Sequence, residues 1–430
     1  MKAADGTAYD ALIIGAGLAG STAAIRLARA GWSVALVERQ PFPRRKVCGE
    51  CIAASNLPLL HALGVGEAFD ASAGPALRQV TLLHKDRAVT AALPAADHEH
   101  GAWGRALGRE TLDGLLLAQA QAAGATVFQP WAVQAITGTA GAWHCELRAT
   151  DARSLLRLRA TVVIDAHGSW EDLPTERTGR RLARSAADLF AFKANFSDSA
   201  LTAGAISVLA LNGGYGGMVV ADGGTTTIAC CIRRDRLSAL RASAPGLRAG
   251  DAVAAWLQRE CAGVRDALQG AVPVGPWLTS GPLDPGVRLS ATDEVFRIGN
   301  AAGEAHPILG EGMSMALQSA ELLCSLLLAG RGGASVPRAQ AQADLQRRYA
   351  VAWRRQFAPR LRLAAVFAQL AMRPRGAAAL MRLAALWPGL LTHGARWGGK
   401  VRLVEALRSD PAADLTDAEP RVTKATQAAR

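Results

Sequence analysis

Two glycine-rich segments constrain this chain more than any other feature: Gly15-Ala16-Gly17-Leu18-Ala19-Gly20 near its start and Gly299-Asn300-Ala301-Ala302-Gly303 far downstream. The first follows the apolar run Ala11-Leu12-Ile13-Ile14 and opens a helical stretch from Ser21 to Ala30. That strand, turn and helix order is the context a dinucleotide fingerprint requires. In such a turn Gly15 permits the tight reversal and Gly17 lets backbone approach a pyrophosphate. Gly20 lets helix pack closely on strand, and the phosphates lie at the positive end of the helix. A second apolar run, Ser33 to Val37, ends at Glu38, close to the ~20-residue offset at which a carboxylate hydrogen-bonds ribose hydroxyls.

At 430 residues, half of them hydrophobic, the chain can form two or three domains around a large core. Seven cysteines, an odd number without framework spacing, point to a reducing compartment. With no secretory pattern and no run of ~18 apolar residues, a cytoplasmic protein without a spanning helix is expected. The net charge of +12 comes mainly from arginine, much of it between Arg338 and Arg408. No recognition motif accompanies that charge, so nucleic acid is not expected as a partner.

Element patterns divide the chain into interleaved parts. A dinucleotide domain takes residues 1–75, 105–184 and 281–334, including a helix from Gly108 to Ala123 and a strand Ala160–Asp165 that runs into the turn Ala166-His167-Gly168-Ser169. Residues 76–104 and 185–280 carry β-like runs separated by glycine-rich turns and read as a mostly antiparallel substrate domain. Residues 335–408 are helical and basic, broken at Pro374 and Pro388, and residues 409–430 read as a tail. The basic helices either pack on the body of the protein, the preferred reading, or lie on an acidic membrane surface. The second case would bury Phe367, Leu370, Met372, Leu380, Met381, Leu386 and Trp387 in lipid. The fold class is α/β, a Rossmann-like domain interleaved with a β domain and followed by C-terminal helices.

The fingerprint, Lys46-Val47-Cys48-Gly49, the second glycine segment, Pro307 and Gly310-Glu311-Gly312-Met313 occur in an order that resembles the geranylgeranyl reductase-like branch of the flavoprotein monooxygenases. That superfamily is typified by para-hydroxybenzoate hydroxylase. The resemblance spans about residues 9 to 330 and implies FAD, with NADPH or NADH as reductant. It implies that Gly299, Asn300 and Gly303 approach the pyrophosphate and ribityl chain, and that Gly310, Gly312 and Met313 lie beside the ring. Asn300 stands where the family usually has Asp. Arg109, in a Gly-Arg-x-x-Leu-Asp pattern, matches a flavin-contacting arginine. Arg44, in the run Arg44-Arg45-Lys46, could hold phosphate or nicotinamide cofactor, or be solvated. His167 replaces a more usual acidic or small residue.

Candidate catalytic residues are His306, beside the ring, which could orient a phenolate or relay a proton, and Cys48, which the resemblance places on the substrate side. Cys48 and Cys51 have C-x-x-C spacing without a second pair, so no metal is expected, while a redox dithiol stays open. Phe192, Lys193 and Tyr215 are expected to line a site for a small hydrophobic or aromatic substrate. The expected reaction is hydroxylation of an aromatic, polyketide-like or alkylphenol substrate. Saturation of an isoprenoid double bond is the alternative. A halogenase is disfavoured because its W-x-W-x-I-P signature is missing, and a non-catalytic flavin- or lipid-binding module is the remaining reading.

Overall fold

The computed structural model describes residues 5–96, 98, 102–150, 154–169, 173, 185–329 and 339–401. The expected tail, 409–430, and the boundary at 334 lie outside the described residues.

The first sheet has a parallel centre. Ala8–Ile14 pairs on one side with Val34–Val37, which pairs with Thr126–Phe128, and on the other side with Leu155–Asp165. Val34–Val37 is buried at every position because helices or strands cover both faces, which is why it reads as an unbroken apolar run rather than an alternating one. Leu155–Asp165 has two halves. Its apolar end pairs in parallel with Phe296–Arg297. Its first half, where Arg157 and Arg159 are exposed, pairs antiparallel with Ala142–Ala149, which turns back to Trp131–Thr139. This strand therefore starts five residues before the expected Ala160, since an alternating half-exposed strand carries a weaker apolar signal than a buried one. Helices Leu18–Arg29, Arg109–Ala122 and Gly312–Leu328 contribute to one large apolar core with this sheet.

The second sheet runs in the order Val272–Pro273, Leu189–Ser197, Thr226–Arg233, Gly214–Val220, Ala205–Leu211, Gln79–His84 and Arg87–Ala92, with Leu278–Leu283 also on Leu189–Ser197. All its pairings are antiparallel except Ala205–Leu211 with Gln79–His84. Helices such as Ala249–Glu260 cover one face, with the fully buried Trp256 against Phe192 and Phe196 in a single cluster.

The other face is covered by the C-terminal helices, Ala339–Ala371, Pro374–Leu386 and Gly389–Trp397. Pro374 occupies a first helical position, where its missing N–H costs no hydrogen bond. The long helix sets Tyr349, Trp353 and Phe357 in the core of the first sheet, whereas Ala368 and Ala371 join Met381 and Ala384 against Leu82 and Tyr215 of the second. One helix thus ties both sheets together. The α/β fold class holds, C-terminal helices included. No helix among the described residues is long and apolar enough to cross a membrane.

Candidate functional site

Between the C-terminal ends of the parallel strands and the helix-covered face of the second sheet lies a cavity. Its lining includes Gly17, Lys46 and Arg109 and, from one apolar cluster, Leu82, Phe367 and Leu391. Crevices outside the carboxyl ends of parallel strands are where sheets of this kind bind ligands.

The three fingerprint glycines do different things. Gly15 has φ +99°, and a Cβ there would meet the Ala166 carbonyl oxygen at 2.6 Å. A Cβ on Gly20 would lie 1.8 Å from the Gly15 oxygen, so both positions are dictated by backbone packing. Gly17 is different. Its Cβ would meet no protein atom closer than the guanidinium nitrogens of Arg109 at 3.7 Å and Arg44 at 3.9 Å. The free space over Gly17 therefore faces cations. Arg109 is held by Asp113 through hydrogen bonds of 2.7 and 2.8 Å. Arg44 reaches Glu38 at 3.3 Å, and its Nε is buried without a hydrogen-bond partner. Desolvation, with Arg109 and Arg44 nearby, pushes the Lys46 ammonium down to about 8. An excess of positive charge around an open backbone turn at a helix N-terminus fits a pyrophosphate. Glu38 is buried and accepts from the Ala16 N–H at 3.0 Å and the Gln40 N–H at 2.9 Å, which fixes its carboxylate beside that turn.

The second glycine segment borders the middle of the cavity. Gly299, at φ +59°, starts a short turn and donates to Ser319 Oγ at 2.8 Å. Asn300 donates its amide to Ser169 Oγ at 2.8 Å, and Ser169 donates to Glu304 at 2.9 Å. Arg288 binds Glu304 at 2.8 Å and the Asn300 carbonyl at 3.1 Å. Burial nevertheless pushes the Glu304 carboxyl up. With the amide nitrogen occupied, the amide oxygen of Asn300 is left to accept from a hydroxyl in the cavity. Gly310 sits at φ +63°, and Gly312 and Met313 open the helix Gly312–Leu328 toward the cavity. Lys400 donates to the Gly310 carbonyl at 3.3 Å and pairs with Glu311 at 3.3 Å, so the C-terminal helices are fastened to this turn.

Tyr215 lines the cavity, and its hydroxyl lies 3.1 Å from Nδ1 of His306, which is not itself among the lining residues. Burial pushes the tyrosine up and the imidazole down, so both stay neutral near pH 7. Cys48 lines the cavity, and its Sγ accepts from the Glu50 N–H at 3.4 Å. Burial pushes the neighbouring Cys51 thiol up to about 12, which leaves it protonated at neutral pH.

Three expectations need correction. Phe192 points away from the cavity into the core around Trp256, because side chains alternate along Leu189–Ser197 and Ala191 takes the cavity side. Lys193 is 1% exposed and forms an ion pair with Glu50, so it is not placed as a substrate contact. Glu50 also accepts from Thr227 Oγ1 at 2.6 Å and the Arg109 N–H at 3.1 Å, clamping the second sheet to the start of helix Arg109–Ala122. Gly303 faces away as well: a Cβ there would meet the Trp353 ring at 2.5 Å. The sequence offers Lys46 and Ser169 only as members of the runs Arg44-Arg45-Lys46 and Ala166-His167-Gly168-Ser169, and it gives no local signal for Glu50 or Lys400, whose partners are distant in the chain.

Residues 8–242 match the FAD binding domain family. The chain belongs to that family. Among solved structures it is similar to a myxobacterial chondrochloren halogenase, described as FAD-dependent, with TM-score 0.70 and 20% identity over 90% of this chain and 91% of the other. It is also similar to a geranylgeranyl bacteriochlorophyll reductase-like protein from Thermoplasma acidophilum, with TM-score 0.66 and 15% identity over 91% and 99%. A third, PqsL from P. aeruginosa in complex with 2-aminobenzoylacetate, has TM-score 0.65 and 19% identity over 87% and 99%. At these identities the likeness shows the fold. Curated relatives match over short segments only. Menaquinone reductase of Mycobacterium tuberculosis is 43% identical over 58 residues, 14% of each chain.

Proposed function

We propose that this protein is an FAD-dependent monooxygenase that hydroxylates an apolar aromatic or polyketide-like substrate bearing an ionisable hydroxyl. The observation that carries this reading is the continuity of the cavity, which passes from the cationic turn at Gly17 into an apolar chamber whose wall holds Tyr215 beside His306. The solved relative with 2-aminobenzoylacetate, an aromatic acid, is consistent with an aromatic ligand in this fold.

In this account Gly17, Arg44, Lys46 and Arg109 bind the pyrophosphate, Glu38 a ribose, and Asn300 a ribityl hydroxyl. Gly310, Gly312 and Met313 border the ring. Bound FAD supplies the oxygen activation, with NADPH or NADH as electron source. The balance is one substrate C–H, O2, NAD(P)H and a proton giving C–OH, water and NAD(P)+. The chain itself positions the substrate and keeps out water, through the chamber wall of Leu82, Val208, Phe367 and Leu391. The Tyr215 hydroxyl orients the substrate oxygen, and neutral His306 takes its proton through Tyr215.

The same chamber and the cavity position of Cys48 support a second reading, saturation of an isoprenoid double bond by two hydrogens from NAD(P)H and a proton. Turnover of lipophilic phenols and polyprenyl compounds under labelled oxygen separates the two by product mass. Hydroxylation gives one labelled oxygen per product, whereas reduction adds two hydrogens and no oxygen. Halogen incorporation in the presence of halide would displace both readings.

A further inference from the structure

Leu386, Trp387 and Trp397 stand out on the surface of the last two helices. Leu386 is 84% exposed, Trp397 66%, Trp387 56% and the neighbouring Leu383 54%. The two tryptophans are joined into one ridge by His393, whose ring centroid lies 5.4 Å from Trp387 and 6.3 Å from Trp397. Val366 and Leu370, at the end of the long helix, are exposed as well.

The stretch of chain that carries this ridge has charge of one sign. From residue 345 to residue 401 the chain has ten arginines and one lysine and no aspartate or glutamate. Arg360 and Lys400 are used inside, on Glu311. Nine of the arginines are exposed, of which Arg347 pairs with Asp344 and Arg354 donates to the Leu289 carbonyl, while Arg382 and Arg396 flank the ridge in sequence. Indole rings and a leucine projecting from helices with an arginine-rich surface make an amphipathic layer of the kind that enters the headgroup region of a bilayer, with the cations on anionic lipid.

We propose that this face docks the protein on an anionic phospholipid surface, with Leu386, Trp387 and Trp397 inserted and the exposed arginines on the headgroups. The charge complementarity selects this occupant over a second copy of the chain, whose own face is equally basic. The apolar residues in contact differ from those expected from sequence. Met372 and Met381 are buried in the protein and Phe367 and Leu380 line the cavity, while Leu370, Leu386 and Trp387 remain outside. Helix Gly389–Trp397 is the shared wall: Leu391 and Ala395 face the cavity and Trp397 faces out. Docking does not depend on which reaction the cavity performs.

The test is co-sedimentation of the purified full-length protein with vesicles of phosphatidylcholine alone or mixed with phosphatidylglycerol. Binding to the mixed vesicles is expected to exceed binding to phosphatidylcholine by at least roughly tenfold and to weaken as salt is raised. The pair Leu386→Asp and Trp397→Asp should lose the binding, and the pair Arg382→Glu and Arg396→Glu should weaken it about tenfold, each with flavin content unchanged as the folding control. The second pair changes only exposed charges, so the test survives if the first does not fold. Absence of binding to mixed vesicles, or equal binding by wild type and a folded variant, would overturn the proposal. So would self-association that both variants abolish without any vesicle binding.

Discussion

Tyr215 belongs to a strand of the second sheet and His306 to the turn before helix Gly312–Leu328, yet the tyrosine hydroxyl and the imidazole Nδ1 lie 3.1 Å apart. The pair joins that strand, Gly214–Val220, to the turn that precedes the helix. Burial holds His306 below the usual imidazole range of about 6.5. The imidazole is therefore a free base at neutral pH, and activity should decline only below that range. The same shift sets a stability trend, since the unfolded chain binds the proton more readily than the folded one. The stability from neutral His306 is fully present above its unfolded value and is lost as pH falls through the lower folded value. Tyr215→Phe should lower kcat roughly tenfold to a hundredfold and alter the acid limb of the rate profile, with flavin content unchanged. A pH–rate series on wild type and variant checks this.

Lys46 gives a second pH dependence, of opposite sense. With its ammonium pushed down to about 8, the cradle loses a charge as pH rises through that value, and an anionic pyrophosphate should restore it. FAD affinity should therefore fall above pH 8, by up to about tenfold per pH unit until the higher value of the complex is reached. Lys46→Met should bind FAD more weakly and without this slope. Flavin fluorescence titrations of the apoprotein across pH measure both.

Arg109 has two separable roles. Its partner Asp113 is 1% exposed and keeps only the more distant Arg44, at 3.9 Å, when Arg109 is removed, so Arg109→Ala should cost up to about 3–5 kcal/mol of stability. Replacing both, Arg109→Leu with Asp113→Leu, should recover much of that stability without recovering flavin affinity. Thermal unfolding and flavin content of the two proteins make the comparison.

Gly303 is held by packing. Gly303→Ala puts a methyl group against Trp353 and should cost about 1–3 kcal/mol, while the folded protein keeps its affinity for FAD. Denaturant unfolding together with a flavin titration checks both parts.

The parts legible in the sequence are those whose chemistry is local. Gly15, Gly17 and Gly20 announce themselves because strand, turn and helix are contiguous, and helix Gly312–Leu328 follows from its own apolar run. For Phe192 a signal is present, since Phe190, Phe192 and Phe196 alternate with Ala191, Lys193 and Asn195, but the pattern alone does not say which face meets the cavity. The Glu50–Lys193 pair joins residues 143 positions apart, and no spacing rule reaches that far. The C-terminal helices showed their amphipathic character at once. That they roof the chamber depends on Ala368 and Met381 meeting the second sheet, a tertiary fact that helix periodicity does not contain.

The most direct test of the account is the flavin-to-protein ratio of Gly17→Asp beside wild type. A Cβ at this position meets no protein atom within 3.4 Å, so the fold has room for it and the substitution acts on the space reserved for the pyrophosphate. The account predicts purified wild type with one FAD per chain and a folded variant with almost none. Full flavin occupancy in folded Gly17→Asp would contradict it.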